Sequence, residues 1–283
     1  MANVKIFSDS TCDLSPDLIE KYDIGIVPLY VTLGERSYKD GVEIGVTEIY
    51  RYVDEHKSLP KTAAATSVDF IEAFTPYVEE GREIFYTGIG ADLSATYQNI
   101  VLAAQEFPGG TVHYIDSQNL STGTGLLTLE AAEMAAEGLS GAQIAGRIGE
   151  LVPKVRAGFF VDTLKYLYYG GRCTALQSMI GGALRLRPRL IVKDGAIVPG
   201  QKYRGTWRHS LDRYYEDAVG DGSQVDPKRI FVTHTPCPAE DVAYAVEKLR
   251  EQFPDTEILE TDAGAVVGSH CGPGTLGILY IEK

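Results

Sequence analysis

Along the first half of the chain, short apolar runs alternate with stretches in which apolar residues recur at helical spacing. Short β-branched or aromatic runs such as Val4–Ser8 and Ile84–Tyr86 predict buried strands. Between such runs, apolar residues recur at helical spacing, as in Val68–Glu80. Strands that alternate with helices are typical of a parallel sheet covered by helices on both faces. This part of the chain is therefore predicted to be a parallel-sheet α/β domain.

The pattern changes after Pro153. Leu190–Val198 reads as a hairpin, because Asp194-Gly195 at its centre is a strong type I′ turn signal. Strands and helices around this hairpin predict a smaller mixed α+β domain. We assign residues 1–155 to the parallel α/β domain and residues 156–283 to the smaller domain.

Several local features follow from the same pattern. The apolar run Ile24–Leu33 predicts one strand, with Pro28 at an edge or a bulge. Thr47 and Ser67 each precede a helical pattern and are predicted to cap a helix. Pro60–Thr66 interrupts the periodicity and predicts a loop between helices.

Composition narrows the class of protein. The 283 residues are 44% hydrophobic, but the apolar runs fall far short of the ~20 residues that a membrane span requires. A net charge of −13 argues against a nucleic-acid binder. The four cysteines lack C-x-x-C spacing, and the N-terminal residues show no signal-peptide pattern. These features predict a cytoplasmic protein with free thiols and no metal site.

The charge is unevenly distributed. Between Arg172 and Arg213 there are nine Lys or Arg residues and two acidic residues. One interpretation is a set of separately solvated charges. The alternative is a basic face that attracts phosphate or an acidic protein partner.

The stretch Ile84–Gln98 organises the candidate chemistry. A strand-like run is followed by Gly88 and Gly90, then by Asp92 and Ser94, which are both helix-capping types. A strand, a glycine loop and a helix start can present unpaired N–H groups to an anion. Three further residues that follow or lie beside strand-like runs are expected to form one rim around this helix start: Thr62, Asp116 and His270.

A dinucleotide-binding fingerprint matches only in part. Gly88-x-Gly90 supplies two glycines, but the third position of the fingerprint is Leu93. The sequence therefore gives weak support to a nicotinamide or flavin cofactor.

A serine hydrolase is a second alternative. Ser94, Asp116 or Asp162, and His270 occur in the chain order of an α/β-hydrolase triad. The serine lacks the G-x-S-x-G setting, because Asp92 stands where a nucleophile elbow needs glycine.

Histidine phosphotransfer is a third alternative, with His234 or His270 as the acceptor. A single histidine is more often a hydrogen-bonding structural residue. His270 is the better candidate, because the glycines and proline of Gly268–Gly274 predict a shaped loop around it.

An ordered set of motifs extends over nearly the whole chain, from Val4 to about Ile281. The motifs are Asp9-Ser10-Thr11-Cys12-Asp13-Leu14, Tyr38-x-Asp40-Gly41, Pro60-x-Thr62, Gly88-Ile89-x-x-x-Leu93-Ser94-x-Thr96-Tyr97-Gln98, Ile115-Asp116-Ser117, Gly170-Gly171-Arg172 and His270-x-Gly272-Pro273-Gly274. This set resembles the DegV family, bacterial fatty-acid-binding proteins that serve as the acyl-carrying subunit of fatty acid kinase.

The resemblance implies a fold and a function. A long-chain fatty acid such as palmitate or oleate would lie between the two domains, with its carboxylate bound by Thr62, Ser94 and His270. Arg172 and Arg204 match basic positions that the family uses to contact the kinase subunit. The protein would then be a carrier without chemistry of its own and without a cofactor. In one departure, Ala63-Ala64-Ala65-Thr66 replaces the Ser-Gln-Pro-Ser that usually follows the threonine in the family.

Overall fold

A computed structural model describes residues 3–173 and 186–283. The strands in this part of the chain are β1 Val4–Asp9, β2 Gly25–Val27, β3 Tyr30–Leu33, β4 Arg36–Lys39, β5 Lys61–Ala63, β6 Glu83–Gly88, β7 Val112–Asp116, β8 Val155–Phe160, β9 Leu186–Lys193, β10 Ala196–Arg204, β11 Val225–His234, β12 Glu257–Asp262 and β13 Leu276–Glu282. The helices are α1 Pro16–Lys21, α2 Val46–His56, α3 Ser67–Glu79, α4 Thr96–Ala104, α5 Thr122–Ala136, α6 Gly141–Leu151, α7 Lys165–Gly170, α8 Trp207–Val219, α9 Ala239–Gln252 and α10 Ala265–Cys271.

The strands form three sheets. The first is fully parallel, in the order β2-β1-β6-β7. The second has the order β10-β9-β8-β13-β11-β12 and is antiparallel except where β11 pairs with β12. A small antiparallel sheet, β4-β3-β5, carries Thr62. The predicted class, a parallel α/β arrangement followed by a mixed α+β one, is confirmed, whereas the boundary between residues 155 and 156 stays a prediction.

The prediction of one strand over Ile24–Leu33 is wrong. The run is divided at Pro28: β2 pairs with β1 in the parallel sheet, while β3 belongs to the small sheet. Proline has no N–H for a ladder and favours such a break. The Leu29 N–H beyond it donates to Ser10 Oγ at 3.1 Å. The predicted loop over Pro60–Thr66 likewise contains β5, which pairs with β3.

Two predicted caps lie close to the observed ones but are wrong. Gly45, not Thr47, is the N-cap of α2. Thr66, not Ser67, caps α3, where its hydroxyl accepts from Asp69 N and the Asp69 carboxylate accepts from Thr66 N. This is a capping box, in which two side chains accept hydrogen bonds from backbone N–H groups that have no partner within the helix. The predicted hairpin is confirmed, with positive φ at Asp194 and Gly195 as a type I′ turn requires.

The apolar interior comprises two clusters of buried side chains. The larger one surrounds the parallel sheet and also includes residues of the second sheet, such as Phe159 and Leu279. The smaller one lies under α8 and α9 and includes Phe160, Tyr214 and Val232. In the part of the chain that the structure describes, no helix has the length and apolar character needed to cross a membrane.

Candidate functional site

A cavity of about 530 Å³ lies where the parallel sheet, the small sheet, α10 and the β9–β10 hairpin meet. Its polar lining residues are Thr62, Ser94, Arg172 and His270. Its remaining lining residues are Leu29, Ala63, Ala64, Ile89, Leu93, Leu120, Leu167, Ile197, Val266, Val267 and Cys271. An apolar cavity with a few polar groups at one place is the usual form of a small-molecule site. We call it the first cavity.

Thr62 and His270 meet across this cavity although 208 positions separate them in the chain. Thr62 lies on β5, and its hydroxyl is 2.8 Å from His270 Nε2. His270 belongs to the last turn of α10, so the predicted loop around it is wrong. The structure therefore brings together two of the three residues expected to bind a carboxylate.

The His270 ring is held in its neutral form. Burial, reinforced by the positive charge of Arg172, lowers the pKa of His270 to about 4. A Cβ added to Gly170 would lie only 2.3 Å from His270 Nδ1, so a glycine is needed beside the ring. Nδ1 has no hydrogen-bond partner among the described residues. At neutral pH the ring is a hydrogen-bonding group rather than a fixed charge.

Ser94 reaches the same cavity from the loop between β6 and α4. Its hydroxyl lies 2.8 Å from Thr96 Oγ1 and accepts a hydrogen bond from Thr96 N at 3.2 Å. The N-cap position itself is occupied by Ala95, which has no capping side chain. The Ser94 hydroxyl thus accepts a hydrogen bond from the first N–H of α4, and the same side chain lines the cavity.

The two glycines of this loop make room for protein atoms rather than for a phosphate. A Cβ on Gly88 would lie 2.2 Å from Asp9 Oδ2, and a Cβ on Gly90 would lie 3.0 Å from Asn119 N. Asp9 Oδ2 accepts hydrogen bonds from Ile89 N and from the Tyr86 hydroxyl, both at 2.8 Å. The partial dinucleotide fingerprint is explained by this buried carboxylate.

The expectation that the loop offers unpaired N–H groups to an anion is wrong for several of its residues. Asp116 Oδ1 accepts from Ala91 N at 3.0 Å, and Gly90 N donates to Asn119 O at 2.8 Å. Ser94 N donates to the carbonyl of Gly90. Asp116, which was expected on the rim, supports this loop from behind and is not a lining residue of the first cavity.

The two predicted partner-contact arginines occupy different places. Arg172 lines the first cavity, donates to the carbonyl of Gly170 at 2.7 Å and makes a longer bond to that of Leu93. Arg204 is exposed at the end of β10 and does not line the cavity. Within the basic segment between Arg172 and Arg213, Arg185 lies outside the described residues.

The hydrogen bonds that a serine hydrolase needs between Ser94, His270 and an aspartate are not formed among the residues that the structure describes. Ser94 Oγ pairs with Thr96 and His270 Nε2 pairs with Thr62, so the base and the nucleophile are bonded elsewhere. Asp162 forms an ion pair with Arg187 instead of orienting a histidine. A Ser–His–Asp triad requires the serine to bond one nitrogen of the histidine and the aspartate to bond the other.

The phosphotransfer alternative meets an electrostatic obstacle at His234. Its two ring nitrogens lie 3.4 Å from Glu260 and 3.6 Å from Asp262, so a phosphoryl group would face two carboxylates. Among the described residues, no group of three or more His, Cys, Asp or Glu side chains is arranged to hold a metal.

A second cavity of about 400 Å³ adjoins the first. The two share Leu120, Val267 and Cys271 as lining residues. The second cavity continues among side chains of the large mixed sheet, such as Phe159 and Leu279. The surface exposed inside the second cavity is almost entirely apolar, although Ser121, Thr233, His234, Thr235 and Thr275 are among its lining residues. The exposed polar surface of the two cavities lies mainly in the first, which contains Thr62, Ser94, Arg172 and His270.

Sequence reasoning missed a set of buried carboxylates behind the site. Asp13 and Asp40 stand in two of the quoted motifs but were given no role, and both are buried and accept hydrogen bonds from the start of α10. Their place in these motifs was the available signal. Tyr50, whose hydroxyl donates to Gly268 O at 3.2 Å, carried no such signal.

A family model described as "Uncharacterised protein, DegV family" matches residues 3–283. A fatty-acid-binding DegV family protein from Thermus thermophilus is 33% identical, with 99% of each chain covered and a TM-score of 0.85. DegV from Bacillus subtilis, solved as a fatty acid binding protein, is 27% identical, with 100% of each chain covered and a TM-score of 0.85.

A third structure shows the fold at lower identity. It is the Fatty Acid Kinase (Fak) B3 protein of Streptococcus pneumoniae, solved loaded with linoleic acid. It is 22% identical, with 99% of each chain covered and a TM-score of 0.84. With a family model matched from residue 3 to residue 283 and the same fold in these structures, the chain belongs to the DegV family.

Proposed function

We propose that this protein binds a long-chain fatty acid, such as palmitate or oleate, with its tail in the two joined cavities and its carboxylate at Thr62, Ser94 and His270. The observation that carries this proposal is the Thr62–His270 hydrogen bond at the polar end of an otherwise apolar space. The two relatives solved as fatty acid binding proteins support it.

The acyl tail supplies most of the binding free energy. Burial of ~14 methylenes at ~0.8 kcal/mol each is worth roughly 11 kcal/mol before the costs of ordering and association. The two cavities adjoin each other, with about 530 and 400 Å³ of empty space that is partly open to solvent. Ala63 and Ala64, which depart from the family pattern, add small apolar surface to the first cavity.

The carboxylate needs polar partners, because an unpaired buried carboxylate costs several kcal/mol. The hydroxyls of Thr62 and Ser94 can donate hydrogen bonds to it. His270 is neutral at pH 7 and can donate from one ring nitrogen. The guanidinium of Arg172 adds a positive charge to the same cavity lining. A serine used as a donor needs no activating base, which agrees with the unassembled triad.

Ligand binding is tested directly by mass spectrometry of an organic extract of the purified protein. The delipidated protein is then titrated with oleate. We expect Ser94→Ala and His270→Ala each to weaken oleate binding by about tenfold, the equivalent of one charged-group hydrogen bond. Ser140→Ala, which removes only the cap of α6, is the matched control. Protein that carries no fatty acid and does not bind oleate would overturn the proposal.

We further propose that the bound acid is presented to a separate kinase subunit, which transfers the γ-phosphoryl group of ATP to the carboxylate and releases ADP. Arg172 and Arg204 are the proposed contacts. The exposed position of Arg204 and the excess of basic residues between Arg172 and Arg213 support this assignment. The carrier itself then needs no catalytic residue.

The kinase role is tested with the catalytic subunit of the same organism, by trapping acyl phosphate with hydroxylamine. Arg204→Glu is expected to abolish product formation while oleate affinity stays within twofold. Arg147→Glu changes an exposed charge on α6 and is the control that should retain activity. If the wild-type protein supports no acyl phosphate formation, the kinase role is rejected although lipid binding stands.

A further inference from the structure

Helix α10, which carries His270, is held at its start by two carboxylates from distant parts of the chain. Asp13 Oδ1 accepts a hydrogen bond from Gly264 N, and Asp40 Oδ1 accepts one from Ala265 N, both at 2.8 Å. Both carboxylates are buried. These bonds satisfy N–H groups that the first turn of a helix otherwise leaves unpaired.

The same helix lies unusually close to α2 along one face. Gly268 is one turn after Gly264, and a Cβ on Gly268 would lie 2.5 Å from Val46 Cγ2. The Tyr50 hydroxyl of α2 donates to the Gly268 carbonyl at 3.2 Å. The two glycines therefore permit contacts that fix both the depth and the rotation of α10 against the first half of the chain.

A purely stabilising role explains the two carboxylates poorly. Burial raises the pKa of Asp13 well above its usual range and that of Asp40 to about 6, so ionisation is costly at both positions. Asp40 Oδ2, moreover, has no hydrogen-bond partner in the described part of the chain. Apolar packing could hold the helix against the core, but it could not pair the N–H groups of Gly264 and Ala265. Directional bonds, in contrast, define where the helix begins.

We propose that Asp13, Asp40 and Tyr50 are positioning residues for the carboxylate-binding end of the site. They place α10 so that His270, in its last turn, meets Thr62 of β5. This inference rests on the proposed function, because His270 is assigned there as a ligand of the carboxylate. None of the three positioning residues lines the first cavity, so they act on the ligand through the helix.

The test compares two ligands that share a tail but differ in the head group. Oleic acid and oleyl alcohol are titrated into delipidated wild-type protein and into Asp40→Ala, Asp40→Asn and Tyr50→Phe. For Asp40→Ala we expect acid affinity to fall about tenfold. Alcohol affinity should fall clearly less, because a shift of α10 disturbs its apolar lining residues Val266 and Val267 for both ligands but His270 for the acid head group alone. Asp40→Asn keeps an oxygen that accepts from Ala265 N, so it should restore acid affinity to within about threefold of wild type. Tyr50→Phe removes one hydroxyl and should give a smaller loss, confined to the acid.

A second readout follows the imidazole directly. Nitrogen NMR of His270 reports its tautomer and its hydrogen bond to Thr62, and both should change in Asp40→Ala and recover in Asp40→Asn. Asp241→Ala is the matched control, since it removes a buried carboxylate that pairs with Arg208 on another helix. Equal losses for acid and alcohol, or unchanged acid affinity with an unchanged His270 spectrum, would overturn the positioning role. If Asp40→Ala does not fold, Tyr50→Phe decides between these outcomes.

The failure of the proposed function gives a different result. Wild-type protein would then bind neither ligand, or would bind both with equal affinity. The positioning role fails only when wild type prefers the acid and the variants keep that preference.

Discussion

His270 combines a hydrogen-bonding position with an unfavourable place for a charge. Its Nε2 faces the Thr62 hydroxyl, while Gly170 packs against the other side of the ring. Burial and the nearby Arg172 hold its pKa near 4, compared with 6.5 for an unperturbed histidine. The ring can therefore contribute to carboxylate binding through a directed hydrogen bond without becoming protonated near neutral pH.

This shift predicts how stability depends on pH. Between pH 6.5 and pH 4 the unfolded chain holds a proton on His270 that the folded protein does not, so acidification favours unfolding. The contribution of neutral His270 is complete above pH 6.5 and is lost as the pH falls through this window. From pH 7.5 to pH 5, the free energy of unfolding of delipidated wild type should fall relative to His270→Gln by about 2 kcal/mol.

The measurement is urea unfolding of both proteins at several pH values. Asp13 and Asp40 have raised pKa values and change stability in the opposite direction, but they do so in both proteins. The difference between wild type and variant therefore isolates His270. Two parallel pH profiles would show that the ring is not held neutral.

At the residue scale, the sequence predicted the lining of the site better than its support. Thr62, Ser94 and His270 line one cavity, as expected, although their role as ligands stays a prediction. Asp13 and Asp40 belong to motifs noted in the sequence but were given no role, because a polar residue near a turn is usually solvated. Both are buried against distant parts of the chain, which in each case include the start of α10. Local patterns contain no information about such a contact.

At the scale of elements, α10 shows why local sequence patterns do not predict every helix. It has seven residues, and a glycine lies at its N-cap and another within it. Isolated helices this short are unstable in water, and glycine lowers helix propensity further. The helix forms because side chains of the first half of the chain satisfy its start and pack against its glycines. Longer elements such as α3 and the β9–β10 hairpin were predictable, because helical apolar spacing and turn residues are encoded locally, although the predicted cap of α3 was one residue too late.

The capping box of α3 offers a test of such local encoding close to the site. Thr66 lies two positions after Ala64 of the first cavity, and its hydroxyl bonds both the backbone and the carboxylate of Asp69. Thr66→Ala should lower the free energy of unfolding by about 1 kcal/mol. Thr66→Ser keeps the hydroxyl and is the control, with an expected loss well below that of alanine. Thermal and urea unfolding measure the difference, and equal losses in both variants would contradict the assignment of the cap.

At the scale of the whole molecule, the larger apolar cluster crosses the predicted domain boundary. It joins side chains of the parallel sheet to Phe159, Leu190 and Leu279 of the mixed sheet, and α10 lies within it. The smaller cluster belongs to the second half and packs against Trp207, the single tryptophan of the chain. The two halves therefore share most of the interior that surrounds the site, which sequence patterns alone divided between two domains.

Because of this shared interior, the delipidated protein should unfold in one cooperative transition. Far-UV circular dichroism reports all elements, whereas fluorescence of Trp207 reports the second half, through its contact with Phe160 at a ring-centroid distance of 4.9 Å. The two urea profiles should coincide. Oleate at about 100 times its dissociation constant should raise the free energy of unfolding by about 2.7 kcal/mol with either probe. Separate transitions would mean that the halves fold independently, and a ligand shift seen by only one probe would mean that the fatty acid stabilises one half alone. A site assembled from Thr62 in one half and His270 in the other requires both profiles to move together.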